Sequence, residues 1–359
     1  MERFNIYHRQ DGRYEGRISR GKRKNGKRRF QYFFGHSREE VQDKMTAARR
    51  QNLSGSCCRT VEQIFSEWFQ SIHHRVKEST AANYRMKAEK HLLPAFSDTK
   101  ADTITASDIY AFIESRQSSG LSNRYISDIL IMMKSVFKYA SKTYRFLNPL
   151  DGITLPKMQK PEIELLDEKQ QGKLQQYIAE NPNHSTLGIA LSMSTGIRIG
   201  ELCALQWEDI DLEKRILTVR KTMQRIQTPD SETRTKLIIA EPKSESSKRK
   251  IPIPDCVISI LEKFRGKAKE YLVSGEERPV EPRTMQYRFA SILKNVKLPS
   301  VHFHALRHMF ASRCVKLGFD IKTLSEILGH SKVEITLNRY VHSSFEQKKQ
   351  YMSRIAMNF

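Results

Sequence analysis

The hydrophobic period changes along this chain, and no single sheet or single helical bundle accommodates the change. From Arg13 to Phe34 apolar and polar residues alternate over two short runs. From Thr60 to Thr143 apolar residues recur every three or four positions, and beyond about residue 160 both patterns occur. A period of two puts alternate side chains on opposite faces of a strand, whereas a period of 3.6 lines one face of a helix. The chain is therefore expected to be multidomain and α+β.

In the first segment, residues 13–19 alternate with Tyr14, Gly16 and Ile18 on one face and Arg13, Glu15 and Arg17 on the other. That pattern is a half-buried strand. Asp11-Gly12 and Asn25-Gly26 supply turns before and after it. Residues 28–34 form a second strand with Phe30, Tyr32 and Phe34 on one side, ending at Gly35. Ser37-Arg38-Glu39-Glu40 fits a capping box, so a helix is expected from Ser37 toward Gln51. An outer sheet face carrying Arg13, Arg17 and Arg29 could lie in a DNA groove.

The second segment reads as helical. Thr60 with Gln63, and Thr105 with Asp108, cap two helices, and another runs from about Thr80 to just before Pro94. Ser122 to Thr143 carries the clearest stripe, Ile126, Ile129, Leu130, Met133, Val136, Phe137 and Ala140, which is core. Asn148-Pro149 and Leu155-Pro156 lead into a linker. In the third segment, helices are expected near 167–180, 185–195, 198–206, 255–269, 284–295, 302–317, 320–328 and 332–340. Strands are expected at 216–222, 235–240 and 249–254, the last at a sheet edge because Pro252 and Pro254 cannot donate to a ladder.

Charge narrows the function. Sixty-two Lys and Arg against forty Asp and Glu give the 359 residues a net charge of +22. All three segments share it, at +9 for residues 1–55, +4 for 56–158 and +9 for 159–359. A polyanion, nucleic acid first, is the expected partner. The density peaks between Arg20 and Arg29, where seven of ten residues are basic: Arg20, Lys22, Arg23, Lys24, Lys27, Arg28 and Arg29. A phosphate-contacting loop is the reading favoured over a solvated hairpin tip. No apolar run reaches the ~18 residues of a transmembrane helix, and Met1 to Gly12 lacks a signal-peptide apolar region. The five cysteines include no Cys-x-x-Cys pair, which argues against disulfides and thiolate zinc and points to a reduced, cytoplasmic protein.

The chemistry-bearing residues fall in the third segment. There is no Gly-rich loop ending in Lys-Ser/Thr and no acidic cluster for paired magnesium ions. His304 and His308 have a zinc-like spacing, but Arg307 between them would oppose a divalent metal. What remains is cationic and phenolic. Thr195-Gly196-Ile197-Arg198 opens a helix, with Glu201 one turn on to orient the guanidinium. Pro242-Lys243-Ser244 lies near a hairpin turn. His304 and Arg307 share a helix face. Leu328-Gly329-His330 precedes Tyr340 by ten residues. His308 is expected to face away from the His304/Arg307 side and be structural, and Lys248, Arg249 and Lys250 to be solvated or to touch a DNA backbone.

In this order the motifs resemble those of the tyrosine recombinases, especially phage and conjugative-transposon integrases. The family's first arginine falls on Arg198, its hairpin lysine on Lys243, its His-x-x-Arg on His304 and Arg307, its later histidine on His330 and its nucleophile on Tyr340. Lys236, Lys248 and Lys250 lie close to Lys243 along the chain. The resemblance implies three domains. These are an arm-type DNA-binding unit of three strands and a helix at 1–55, a helical SAM-like core-binding domain at 56–158, and a mainly α catalytic domain with a small antiparallel sheet and a tail helix at 159–359. It implies cleavage through a 3′-phosphotyrosine, with no cofactor and no metal.

The implied partners are double-stranded DNA at core and arm sites and a homotetramer on that DNA, with room for an excisionase or a host DNA-bending protein. The implied setting is the bacterial cytoplasm, at the nucleoid. The apolar face formed by Phe345, Met352, Ile355, Ala356 and Phe359 is expected to dock on a neighbouring subunit, or else on its own domain. A catalytically silent DNA-binding regulator and a tyrosine topoisomerase are the competing readings.

Overall fold

The computed structural model describes residues 5–22, 28–52, 59–158, 164–228, 233–241, 248–340, 349 and 352–353. The chain divides into two compact units, Met1–Lys160 and Pro161–Phe359.

The first unit opens with an antiparallel sheet of β1 (Ile6–His8), β2 (Tyr14–Lys22) and β3 (Arg28–Gly35), in that order, followed by α1 (Arg38–Asn52). Strand β1, invisible to the periodicity argument, is three residues long and pairs Tyr7 with Glu15. Helix α1 lies on the face that carries Gly16, which explains the glycine. A Cβ there would sit 2.2 Å from the Met45 sulfur and 2.8 Å from a Val41 methyl, and both side chains are buried. On the opposite face Arg17 pairs across from Tyr32, and its guanidinium lies over the Tyr7 and Phe30 rings at 5.5 and 5.2 Å. Tyr32 and Phe34 stay exposed there, so the outer face is aromatic as well as cationic. Arg13 does not sit on that strand face. It precedes β2 and hydrogen-bonds its guanidinium to Asp11 at 2.8 Å. The side chains of Arg20, Lys22, Arg23, Lys24, Lys27, Arg28 and Arg29 lie outside the described residues.

The helical part comprises α2 (Val61–His73), α3 (Glu78–Lys87), α4 (Leu93–Phe96), α5 (Ala106–Ser118) and α6 (Asn123–Tyr144). Thr60 and Thr105 form the expected reciprocal caps with Gln63 and Asp108. Every member of the α6 stripe is buried, against Val61, Ile64, Trp68, Leu92 and Ile109. Pro94 does not end the preceding helix, as its sequence position suggested. A π turn over Ala88–Leu92 intervenes, with the Leu93 N–H donating five residues back to the Ala88 carbonyl, and the chain passes through the proline. The π turn realigns the ladder at the point where proline cannot donate.

The second unit begins with α7 (Glu168–Glu180), α8 (His184–Thr195) and α9 (Ile199–Cys203). Strands β4 (Ile210–Asp211), β5 (Ile216–Val219), β6 (Thr222–Gln227), β7 (Thr235–Ala240) and β8 (Arg249–Pro252) follow. Helices α10 (Asp255–Lys263), α11 (Pro282–Asn295), α12 (His304–Lys316), α13 (Ile321–Leu328) and α14 (Val333–Tyr340) complete it. The core gathers Leu187, Ile189, Leu202, Leu217, Leu261, Phe289 and Leu306.

Among the described residues of this unit there are two small sheets, β4-β5-β8 and β6-β7, where one is expected. The strand expected at 216–222 breaks because Arg220 turns aside to Asp209 at 2.7 Å, and β6 then starts with a new partner. Strand β8 is an edge, as its prolines require. The helix expected to reach residue 269 stops at Lys263, and the chain returns to bond Trp207 N to Glu270 O and Glu208 N to Ala268 O.

Candidate active site

Four turns of chain converge in the second unit. Gly196 ends α8 in the left-handed conformation (φ 65°), where glycine carries no penalty, and the chain re-enters helix at Arg198, the N-cap of α9. Glu201, one turn on, is buried and receives the Arg198 backbone N–H at 3.1 Å and its Nη1 at 2.8 Å. Gly200 lets β6 approach, because a Cβ there would lie 2.7 Å from the Met223 carbonyl oxygen. Arg198 also donates through Nη2 to the Gly329 carbonyl at 3.0 Å, leaving its side chain about one-third exposed.

Arg307, on α12, is 2% exposed. Its Nη1 donates to Gly196 O at 2.8 Å and its Nη2 to Leu328 O at 2.6 Å. Nη2 also lies 2.9 Å from His330 Nε2. A guanidinium can only donate, so His330 Nε2 accepts. Its ring proton is thereby assigned to Nδ1, which donates to Thr336 Oγ1 at 2.8 Å. Each guanidinium has five N–H groups and uses two or three of them here, so donors remain for an oxyanion. Burial, then the charges of Arg198 and Arg249, push the Arg307 guanidinium down to about 9, against the opposing pull of Glu201 and Tyr340. The site is short of negative charge and suited to a phosphate.

Tyr340 ends α14 and is buried, its ring 5.4 Å from that of His308. His308 also packs edge-on against His304 at 4.9 Å. The expectation that His308 faces away from His304 is therefore wrong. Residues four apart on a helix share a face, and the ring fills the space between His304 and the tyrosine. His304 itself is exposed at the start of α12.

Arg249 is a second correction. It is neither solvated nor free for DNA but buried, with Nη1 and Nη2 on the two Glu201 oxygens at 3.1 and 2.9 Å and Nε on Ile327 O at 2.6 Å. Thr336, fully buried and bonded to His330, carried no sequence signal. Lys248 pairs with Glu241 at 2.8 Å, while Lys250 lies exposed on β8. Lys243 lies outside the described residues.

The sequence pattern of the phage integrase family matches residues 164–347, just over half of the chain. The chain belongs to that family. The family's N-terminal SAM-like domain matches residues 60–115 of this integrase. A XerC-like tyrosine recombinase of Caldanaerobacter subterraneus is 26% identical, over 93% of both chains. The Tn1549 transposon integrase, solved with circular intermediate DNA, superposes at a TM-score of 0.68 and 25% identity, over 83% of this chain and all of that one. A lambda integrase tetramer on a Holliday junction gives 0.59 at 19% identity, over 95% and 97% of the two chains. The protein is thus an enzyme of DNA strand exchange. No helix among its described residues is long and apolar enough to cross a membrane.

Gly329 offers a local test of this integrase's architecture. It adopts φ 63°, and a Cβ would lie 2.9 Å from Arg249 Cδ. Gly329→Ala combines a left-handed alanine with displacement of a pinned side chain, so it should cost about 2–3 kcal/mol. A urea midpoint equal to wild type would contradict the packing described.

Proposed function

We propose that Arg198, Lys243, His304, Arg307, His330 and Tyr340 are the catalytic set of a site-specific recombinase that integrates or excises a mobile element. Tyr340 Oη attacks the scissile phosphorus, forming a 3′-phosphotyrosine as the bond to the 5′ oxygen breaks. Arg198 and Arg307 clamp the non-bridging oxygens as charge gathers there. Lys243 protonates the departing 5′ oxygen, and the phenolic proton passes to the histidines. Attack by a partner strand's 5′-hydroxyl on the phosphotyrosine restores the diester and frees the tyrosine. The bond is conserved throughout, so neither nucleotide nor metal is required.

The observation that carries this reading is the convergence of Arg198, Arg307 and His330 on the end of α13, with Tyr340 near enough for its phenol to act on the Arg307 charge. The role of Lys243 rests on its sequence match. Isolating the DNA-linked peptide from a trapped complex tests the assignment, and it should contain residue 340.

The domain plan follows the same reading: arm-site binding by residues 1–55, core-site binding by 56–158 and catalysis by 159–359. Exchange between two duplexes cuts four strands, hence a tetramer on DNA in the bacterial cytoplasm. The exposed Arg17, Tyr32 and Phe34 face and the basic run from Arg20 to Arg29 support DNA contact by the first domain. Deleting residues 1–55 should leave the core footprint and abolish protection at separate arm sites. An unchanged footprint outside the core would reject the arm-binding role.

A further inference from the structure

The end of α13 distributes three arginines over three consecutive carbonyls. Ile327 O accepts from Arg249 Nε at 2.6 Å, Leu328 O from Arg307 Nη2 at 2.6 Å and Gly329 O from Arg198 Nη2 at 3.0 Å. The preceding carbonyls, of Ser325 and Glu326, are taken by the His330 and Gly329 N–H groups at 3.0 Å each. The last carbonyls of a helix lack intrahelical donors and carry the negative end of its dipole, so cations collect there. Glu201 is the carboxylate that Arg198 and Arg249 share. One oxygen takes Arg198 Nη1 and Arg249 Nη1, and the other takes Arg249 Nη2 and the Arg198 backbone N–H.

We propose that Arg249 is a positioning residue for strand cleavage. By holding both Glu201 oxygens and the Ile327 carbonyl, it fixes where Arg198 stands relative to Arg307. The inference rests on the reading of those two arginines as the phosphate clamp.

Of the arginines around Glu201, Arg249 alone occupies both oxygens with its side chain, and only it arrives from the strand that follows the Lys243 segment. Without it the carboxylate can rotate and Arg198, bonded to one oxygen, follows. A displacement of about 1 Å in a catalytic group can cost 10²-fold in rate. Lysine is no substitute for the fork, because a single ammonium lacks the planar pair of donors that meets two carboxylate oxygens.

Glu201 also supplies a readout that fold stability alone would not move. The charges facing it are Arg198 on its own helix, Arg249 from β8 and Arg307 from α12. Burial pushes its carboxyl up, but Arg249 and then Arg198 outweigh that and hold it below the ordinary carboxylate value. Neutralising position 249 should therefore raise the pH at which cleavage fails on the acid side.

The experiment is single-turnover cleavage by the full chain, using a nicked suicide duplex built from the direct repeats flanking the element. Wild type, Arg249→Met and Arg249→Lys are compared across pH, with near-ultraviolet circular dichroism reporting the folded fraction. Arg249→Met should keep half-saturation within about three-fold of wild type while the maximal rate falls by on the order of 10²-fold, with the acid limb at higher pH. Arg249→Lys should return the limb to its wild-type position and leave the rate low. If Arg249→Met does not fold, Arg249→Lys decides by its rate alone: a maximal rate well below what its folded fraction accounts for supports the proposal, and a loss that merely follows the folded fraction overturns it.

Wild-type rates in both variants overturn the proposal. So does a loss that tracks the folded fraction with an unmoved limb, or full rescue by lysine. If wild type links to DNA through Tyr340 and position 249 is silent, only this inference falls. If wild type forms no Tyr340 adduct, the catalytic reading falls with it.

Discussion

Tyr340→Phe should bind DNA, fold normally and form no covalent adduct. Wild type should link to a nicked duplex with EDTA present and no nucleotide, giving a complex that survives denaturing electrophoresis and maps to residue 340. The substitution removes one oxygen and leaves the ring. The ring's packing 5.4 Å from His308, and its burial at the end of α14, should persist. The stability change should stay below about 1.5 kcal/mol, the scale of a near-isosteric swap in a packed interior, while cleavage drops below detection because the attacking oxygen is gone. An adduct that persists in Tyr340→Phe, or one that maps to Tyr351, would overturn the nucleophile assignment.

Arg198→Ala and Arg307→Ala should each lower the cleavage rate by on the order of 10²–10³-fold, the scale for removing a preorganised donor from a developing oxyanion. DNA binding should weaken far less, since many basic residues share the phosphate contacts. The two differ in their effect on folding. Arg307 is fully buried and its loss strands the Gly196 and Leu328 carbonyls, whereas Arg198 is partly exposed. A buried carbonyl without a donor costs about 1–3 kcal/mol, so Arg198→Ala is the cleaner kinetic test.

Arg307 also predicts a stability effect with a definite sign. Its folded-state pKa is pushed down to about 9, chiefly by burial. The charged form therefore opposes folding everywhere below about pH 9, and that penalty fades as pH rises from there toward the ordinary guanidinium value. At neutral pH an oxyanion that pairs with the cluster should raise the melting temperature, as any ligand of the native state does. Sulfate or vanadate should stabilise wild type more than Arg307→Ala at equal ionic strength. Equal stabilisation of the two would mean that the anion binds elsewhere. Equal losses of binding and cleavage in the arginine variants would reduce them to ordinary phosphate contacts.

Local information in the chain is enough to place several of these features. The α6 stripe from Ile126 to Ala140 fixes a buried helix because spacing alone puts those side chains on one face. Thr60 and Thr105 mark helix starts because a capping box closes within four residues. Arg198, His304, Arg307, His330 and Tyr340 stand out because each sits in a short motif and their order along the chain is itself a signal, and the structure brings Arg198, Arg307 and His330 together at the end of α13.

Tertiary structure decided what depends on partners far away in sequence. Strand β1 exists because β2 offers a free edge to three residues. One expected strand became β5 and β6 because Arg220 is drawn to Asp209. Pro94 is tolerated because a π turn realigns the ladder before it. Helical spacing alone does not show that the His308 ring meets a tyrosine 32 residues on. Arg249 read as one more surface cation in a basic run, and only the meeting of β8, α9 and the end of α13 buries it on Glu201. A guanidinium is buried only where carboxylate and carbonyl oxygens replace its water, and those oxygens come from residues 48 and 78 positions away. Composition and period carry no record of such an encounter, so the motif residues were legible and the residues that hold them in place were not.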